Sequence, residues 1–178
     1  MSMRIAPIVI ITERAVMILL KQILVATDFS DASAAAMDYG RALARTFGGS
    51  LHLLHVIENP FLRPHAADPY AIRNATLAHL FDRLTDDDRN ALHATAVLET
   101  SDDPADEIVK YARAQQIDLI VMGTHGRGTV AQILVGSVAE RVVRTAPCPV
   151  LTVRHPEHDF VVPDPPASTA STDAGGLS

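Results

Sequence analysis

Short, unbroken apolar runs recur along this chain between longer segments of helical period, and that alternation restricts the fold more than any other feature. Ile23-Leu24-Val25-Ala26 and Leu119-Ile120-Val121-Met122 contain no polar residue. A strand wetted on one face alternates apolar and polar; a continuous run is what a parallel strand covered on both faces shows. Residues 51–57 (LHLLHVI), 95–99 and 150–153 read as three further strands. Between them lie four helical segments. The first is capped by Ser30, has Ala36, Gly40, Leu43 and Phe47 on one face, and ends at Gly48-Gly49. The second follows a loop with Pro60, Pro64 and Pro69 and runs from about Ala71 to Asp87. The third starts at Asp103-Pro104, with proline in its first turn, and the fourth spans Ser137 to Thr145. The order βαβαβαβαβ predicts an α/β fold: a parallel sheet with right-handed crossovers and helices on both faces. Ligands of such sheets sit beyond the carboxyl ends of the strands, where the strand order reverses.

The chain has 178 residues and a formal charge of −6, but the charge is uneven. Residues 156–178 hold four acids and no Lys or Arg, and their Pro, Ser, Thr, Ala and Gly content reads as a disordered tail. Residues 1–20 are apolar but broken by Glu13 and Arg14, too short on either side to span a bilayer. They read as an extension, with Met17 an alternative start, leaving a domain of 21–155 that carries only −3. One cysteine excludes a disulfide framework. Net acidity and 4% aromatic content argue against nucleic-acid binding and against an anionic membrane as partner. The expected compartment is the cytoplasm.

Four of the nine glycines fall between positions 123 and 136. No lysine follows any of them, so a Walker A loop is absent. Gly126-Arg-Gly128-Thr-Val-Ala131 fits a dinucleotide fingerprint, but it follows the fourth strand and lacks the downstream acid for a ribose. The remaining pattern is Gly123-x2-Gly126-x9-Gly136-Ser137. Gly123 and Gly126 allow a sharp turn and close approach to a ligand. Gly136-Ser137 opens a helix whose first N–H groups would receive an anion, with Arg127 as a nearby cation. Ser137-Val-Ala-Glu140 also reads as a capping box, which would explain both residues without a ligand. Spacing alone leaves both readings open.

Asp28 follows the first strand, in a turn without glycine. A carboxylate there would repel phosphate but suits a ribose hydroxyl, an adenine amino group or a phosphate-held metal; it equally suits the next helix dipole. His52 and His55 point to opposite strand faces and read as structural. Asp86-Asp87-Asp88 reads as a solvated helix end, Arg141 and Arg144 as surface or interface charges, and Cys148 as a small buried residue. Met122 and Val56 read, by residue type alone, as core.

KQILVATDFSDAS, LHLLHVI, DLIVMGTHGRG, LVGSVAERVV and APCPVLTVR together resemble the universal stress protein family over residues 21–155. The glycine spacing is similar to that of its ATP-binding branch. The resemblance implies a Rossmann-like five-stranded sheet of order 3-2-1-4-5, with ATP between the ends of the first and fourth strands. It implies that Ala26, Thr27 and Asp28 border the adenosine, Asp28 nearest the ribose, and that Val56 meets the adenine. Met122 and Gly123 would line the nucleotide, and Gly126, Gly136, Ser137 and Val138 would hold phosphates, with His125 and Arg127 beside them. It further implies Mg2+ or Mn2+ with the phosphates, and a homodimer joined through the last strand. Two features depart from the family pattern within the domain: the turn Ser101-Asp102-Asp103-Pro104 lacks a glycine, and the segment between the second and third strands is short.

The expected function is nucleotide-dependent stress response or signalling through a downstream protein partner. No nucleophile–base pair or carboxylate pair surrounds the loop, so at most slow ATP hydrolysis is expected. An adenine-nucleotide-using enzyme on the same fold would carry a Ser-Gly-Gly-rich first turn, where this chain has Thr27-Asp28-Phe29-Ser30. A nucleotide-free dimerisation module is disfavoured by the intact glycine spacing.

Overall fold

The computed structural model describes residues 17–60, 68–124 and 136–154. Within them the elements run β1 (Gln22–Ala26), α1 (Asp31–Phe47), β2 (Ser50–Ile57), α2 (Pro69–Asp82), α3 (Asp86–Ala91), β3 (Thr95–Thr100), α4 (Pro104–Ala114), β4 (Leu119–Gly123), α5 (Ser137–Thr145) and β5 (Val150–Val153). The five strands form one parallel sheet of order β3-β2-β1-β4-β5. The chain therefore builds outward from β1 through β2 to β3, then crosses back to add β4 and β5 on the other side.

The apolar runs do what continuous apolarity dictates. Ile23, Leu24, Val25, Ile120 and Val121 are wholly buried, because helices cover both sides of the sheet. Ile23 and Val25 face one core with Ala36, Met37 and Ala44 of α1. Leu24 and Ala26 face the other with Ile108 and Val109 of α4 and Val142 of α5. His52 and His55 divide in the same way. His52 bonds the Tyr111 hydroxyl of α4 and Gln22 Oε1, each at 2.8 Å, whereas His55 packs on Phe29 beside the other core.

Helix α1 approaches β1 closely through small residues. A Cβ at Gly40 would overlap Val25 Cγ2, so the helix sits lower on the sheet than any larger residue would permit. The buried stripe runs through Ala36, Gly40 and Ala44; Phe47, expected on it, ends the helix and is 38% exposed. Ser30 caps the N-terminus by accepting from the Ser33 N–H, and Gly48 closes the C-terminus at φ +64.

The segment read as one helix to Asp87 is two. α2 stops at Asp82, and Thr85 opens α3 with a capping box in which Thr85 and Asp88 serve each other's backbone N–H groups. The aspartate run is therefore not a solvated helix end throughout. The Asp88 side chain is fully buried and accepts from Arg41 Nε and Nη2 at 3.0–3.1 Å, which locks α3 to α1.

Candidate functional site

β1 lies between β2 and β4 at the reversal of strand order, with Ala26 opposite Met122 across the β1–β4 pair. Beyond these two strand ends a cleft of about 260 Å³ opens on the α4–α5 side of the sheet. That volume lies just under the usual range of small-ligand sites, roughly 300–1,000 Å³. Its apolar floor is built by Ala26, Leu54, Val56, Met122 and Ile108. Polar groups stand at its edge: Asp28, Ser33, Thr124 and Ser137.

The turn after β1 is tightly bonded. Asp28 Oδ1 accepts from the Ser30 N–H at 3.1 Å and from Ser30 Oγ at 2.6 Å. Thr27 Oγ1 accepts from the Phe29 N–H at 3.0 Å and lies 3.0 Å from Ser33 Oγ, which donates to Ser30 O. His55 Nδ1 lies 2.6 Å from the Thr27 carbonyl. A carbonyl only accepts, so this nitrogen carries the proton and the tautomer is fixed.

The opposite wall is the start of α5. Its N-cap is Gly136, in extended conformation, with no side-chain cap. Ser137 is thus the first helical residue, and Glu140 falls one position too late to complete a capping box; that reading of S-x-x-E is not realised. The N–H groups of Ser137, Val138 and Ala139 lack intrahelical partners by the geometry of a helix start, and all three residues line the cleft. The neighbouring helices differ: Ser30 caps α1 and Asp103 caps α4. Gly136 itself donates to Thr124 O at 2.6 Å, and Thr124 donates to Val153 O at 2.8 Å, so the helix start is pinned to the end of β4. Arg141 of α5 makes two bonds of 2.8–2.9 Å to Asp103, tying α5 to α4; the guanidinium holds that carboxyl below the usual carboxylate range. Arg141 is thus an inter-helix tie as well as a surface charge.

The structure brings together, around this one cleft, Ala26, Thr27, Asp28, Val56, Met122, Gly123, Gly136, Ser137 and Val138. His125, Gly126 and Arg127 lie outside the described residues. Gly123 requires a correction. It is the last residue of β4, paired with Val153, and its backbone is not in the left-handed region. A Cβ on it would come within 2.9 Å of the Ala32 backbone carbon and Cβ. The close approach it permits is to helix α1, and it makes no sharp turn. Sequence reasoning did not find Ser33, Leu54, Pro104, Ile108, Thr124 or Ala139, and assigned His55 to structure alone. Ile108 and Pro104 carry no local signal; only the packing of α4 on the sheet brings them there.

The sequence profile of the universal stress protein family matches residues 20–154. The chain belongs to the universal stress protein family. A universal stress protein of Methanocaldococcus jannaschii is 34% identical over 149 residues, covering 79% of this chain and 86% of that one. Among solved structures, universal stress protein UspA from Lactobacillus plantarum superposes with a TM-score of 0.67 at 29% identity, over 78% of this chain and all of that one. A universal stress protein solved in complex with cAMP superposes with a TM-score of 0.57 at 27% identity, over 75% of this chain and 97% of that one. Among the described residues of this universal stress protein, no helix is long and apolar enough to cross a membrane, and no group of three His, Cys, Asp or Glu side chains is placed to hold a metal.

Proposed function

We propose that this universal stress protein binds ATP in the cleft between the ends of β1 and β4, and that occupancy sets its conformation for a downstream protein partner in stress response or signalling. The observation that carries the reading is the pairing of an apolar floor with the helix start of α5, which has no side-chain cap, across one cleft. The two surfaces differ as the two ends of a nucleotide do. Met122, Val56, Leu54 and Ile108 offer an apolar seat for a purine. The Asp28 carboxylate, beside the floor, accepts from sugar hydroxyls. The N–H groups of Ser137, Val138 and Ala139 donate to phosphate oxygens, favoured by the helix dipole. His125, Gly126 and Arg127 belong to the phosphate end in this reading. The complex of a similar universal stress protein with cAMP supports an adenine nucleotide as the ligand class.

The donor set fits Mg2+ or Mn2+ held mainly by phosphate oxygens, with Asp28 the sole carboxylate on the cleft wall among the described residues. Bound there, the ion would neutralise phosphate charge. Among the described residues no base is paired with a nucleophile on the cleft wall, and this reading includes at most slow hydrolysis. β5 ends the sheet, and in this reading two copies join through it in the cytoplasm.

The test is ATP titration by calorimetry with magnesium on the wild type, Gly136→Val and Asp28→Ala, with ADP release followed alongside. Saturable binding that both variants weaken supports the reading. Absence of binding by the wild type overturns it, and rapid turnover would make the chain an enzyme.

A further inference from the structure

Three residues other than glycine have positive φ: Phe29 at 64°, His93 at 46° and Gln116 at 51° among the described residues. His93 and Gln116 stand just past the C-termini of α3 and α4, where a left-handed residue commonly closes a helix. Phe29 has no such reason. It lies between β1 and α1, and a bulky side chain there is a genuine outlier. Such strain persists only where the surroundings over-determine it, and it gathers at ligand sites.

The surroundings are specific. The Phe29 ring packs on His55 at 4.4 Å between centroids and on His79 of α2 at 4.4 Å, with the Arg83 guanidinium 5.7 Å from its centroid. Its N–H is held by Thr27 Oγ1, and His55 holds the Thr27 carbonyl as well as the ring. The left-handed residue doubles the chain back, so that Ser30 meets the carboxylate of Asp28 two residues earlier. Phe29 does not itself line the cleft; Asp28 does.

We infer that Phe29 is the positioning residue for Asp28: its ring, wedged between His55 and α2, holds the β1–α1 turn in a strained form that aims the carboxylate at the sugar of a bound nucleotide. The inference rests on the adenine-nucleotide reading of the cleft and adds that ribose selection is set outside the cleft wall. A turn free to relax would keep the carboxylate but lose its aim.

The test compares ATP with 2′-deoxy-ATP and 3′-deoxy-ATP by calorimetry, on wild type, Phe29→Tyr and Phe29→Gly. A carboxylate–hydroxyl bond gives the wild type a preference of about tenfold or more for ATP over one of the deoxy analogues. Phe29→Tyr keeps the ring and keeps the preference. Phe29→Gly tolerates this φ but has no ring to enforce it, so the turn is free to relax; it binds the disfavoured analogue nearly as the wild type does and loses most of the preference. Where Phe29→Gly does not fold, Phe29→Asn takes its place, since asparagine also tolerates this region. A folded ring-less variant that keeps the full preference overturns the inference while leaving the nucleotide reading intact. So does a wild type that binds ATP without distinguishing either analogue. A wild type that binds none of the three overturns both.

Discussion

Gly123→Ala separates two reasons for a glycine at the end of β4. The added Cβ would stand 2.9 Å from the Ala32 carbonyl carbon, 2.9 Å from Ala32 Cβ and 3.1 Å from the Ser33 nitrogen. Relief needs a shift of roughly 0.5 Å to restore ordinary carbon–carbon contact. Neither side yields easily. β4 is paired to β1 on one edge and β5 on the other. The first turn of α1 is fixed by the Ser30 cap and the Thr27–Ser33 contact. Overpacking of a site held on both sides costs about 1–3 kcal/mol. For a domain of this size that lowers Tm by roughly 3–10 °C. Thermal unfolding without nucleotide, followed by circular dichroism, reads this cost directly. A variant with unchanged Tm that has lost nucleotide affinity would refute the packing argument and restore the glycine to the ligand.

Three further outcomes are expected. Gly48→Ala meets no neighbour within 4 Å but keeps φ at +64, so backbone conformation alone should cost about 1–2 kcal/mol, checked by urea unfolding. Asp88→Asn leaves Arg41 without its buried counter-charge and should cost about 3 kcal/mol at neutral pH. Burial works against the Asp88 carboxylate, but hydrogen bonds from Arg41 and Thr85 and the Arg41 charge outweigh it and hold its pKa down. Its contribution is therefore complete above the ordinary carboxylate range and lost as pH falls through the lower folded value, so unfolding curves of variant and wild type should converge in acid. Burial pushes the His52 imidazole below its ordinary pKa, so the unfolded chain takes up the proton first and stability should fall as pH drops below about 6.5. His52→Gln should flatten that slope in pH-dependent urea melts.

The sheet was legible because its signal is local: a continuous apolar run states that both faces are covered, wherever it occurs. Strand order and the pairing of Asp28 with the glycine segment came from resemblance, since no local pattern states which strands are neighbours. The break between α2 and α3 was missed because Thr85 and Asp88 resemble the continuation of a polar helix face; only the pairing with Arg41, 47 residues away in sequence from Asp88, shows that the carboxylate points inward. The S-x-x-E signature was ambiguous for a similar reason. It gives the right spacing for a capping box, but the helix begins one residue earlier than the box requires, which makes Ser137 the first helical residue instead of the cap. The Phe29 strain leaves no trace in residue type, because a backbone dihedral is set by what surrounds it.

The account rests on one cleft receiving an adenine nucleotide, with its phosphates at the start of α5 and its sugar at Asp28. The most direct measurement is calorimetric titration of the full chain with ATP and magnesium, repeated on Gly136→Val after circular dichroism shows it folded. The account predicts saturable one-site binding by the wild type and a loss of about tenfold or more in the variant, as expected when backbone donors to a charged group are displaced. Equal affinity in the two proteins, or no saturation by the wild type, would contradict it.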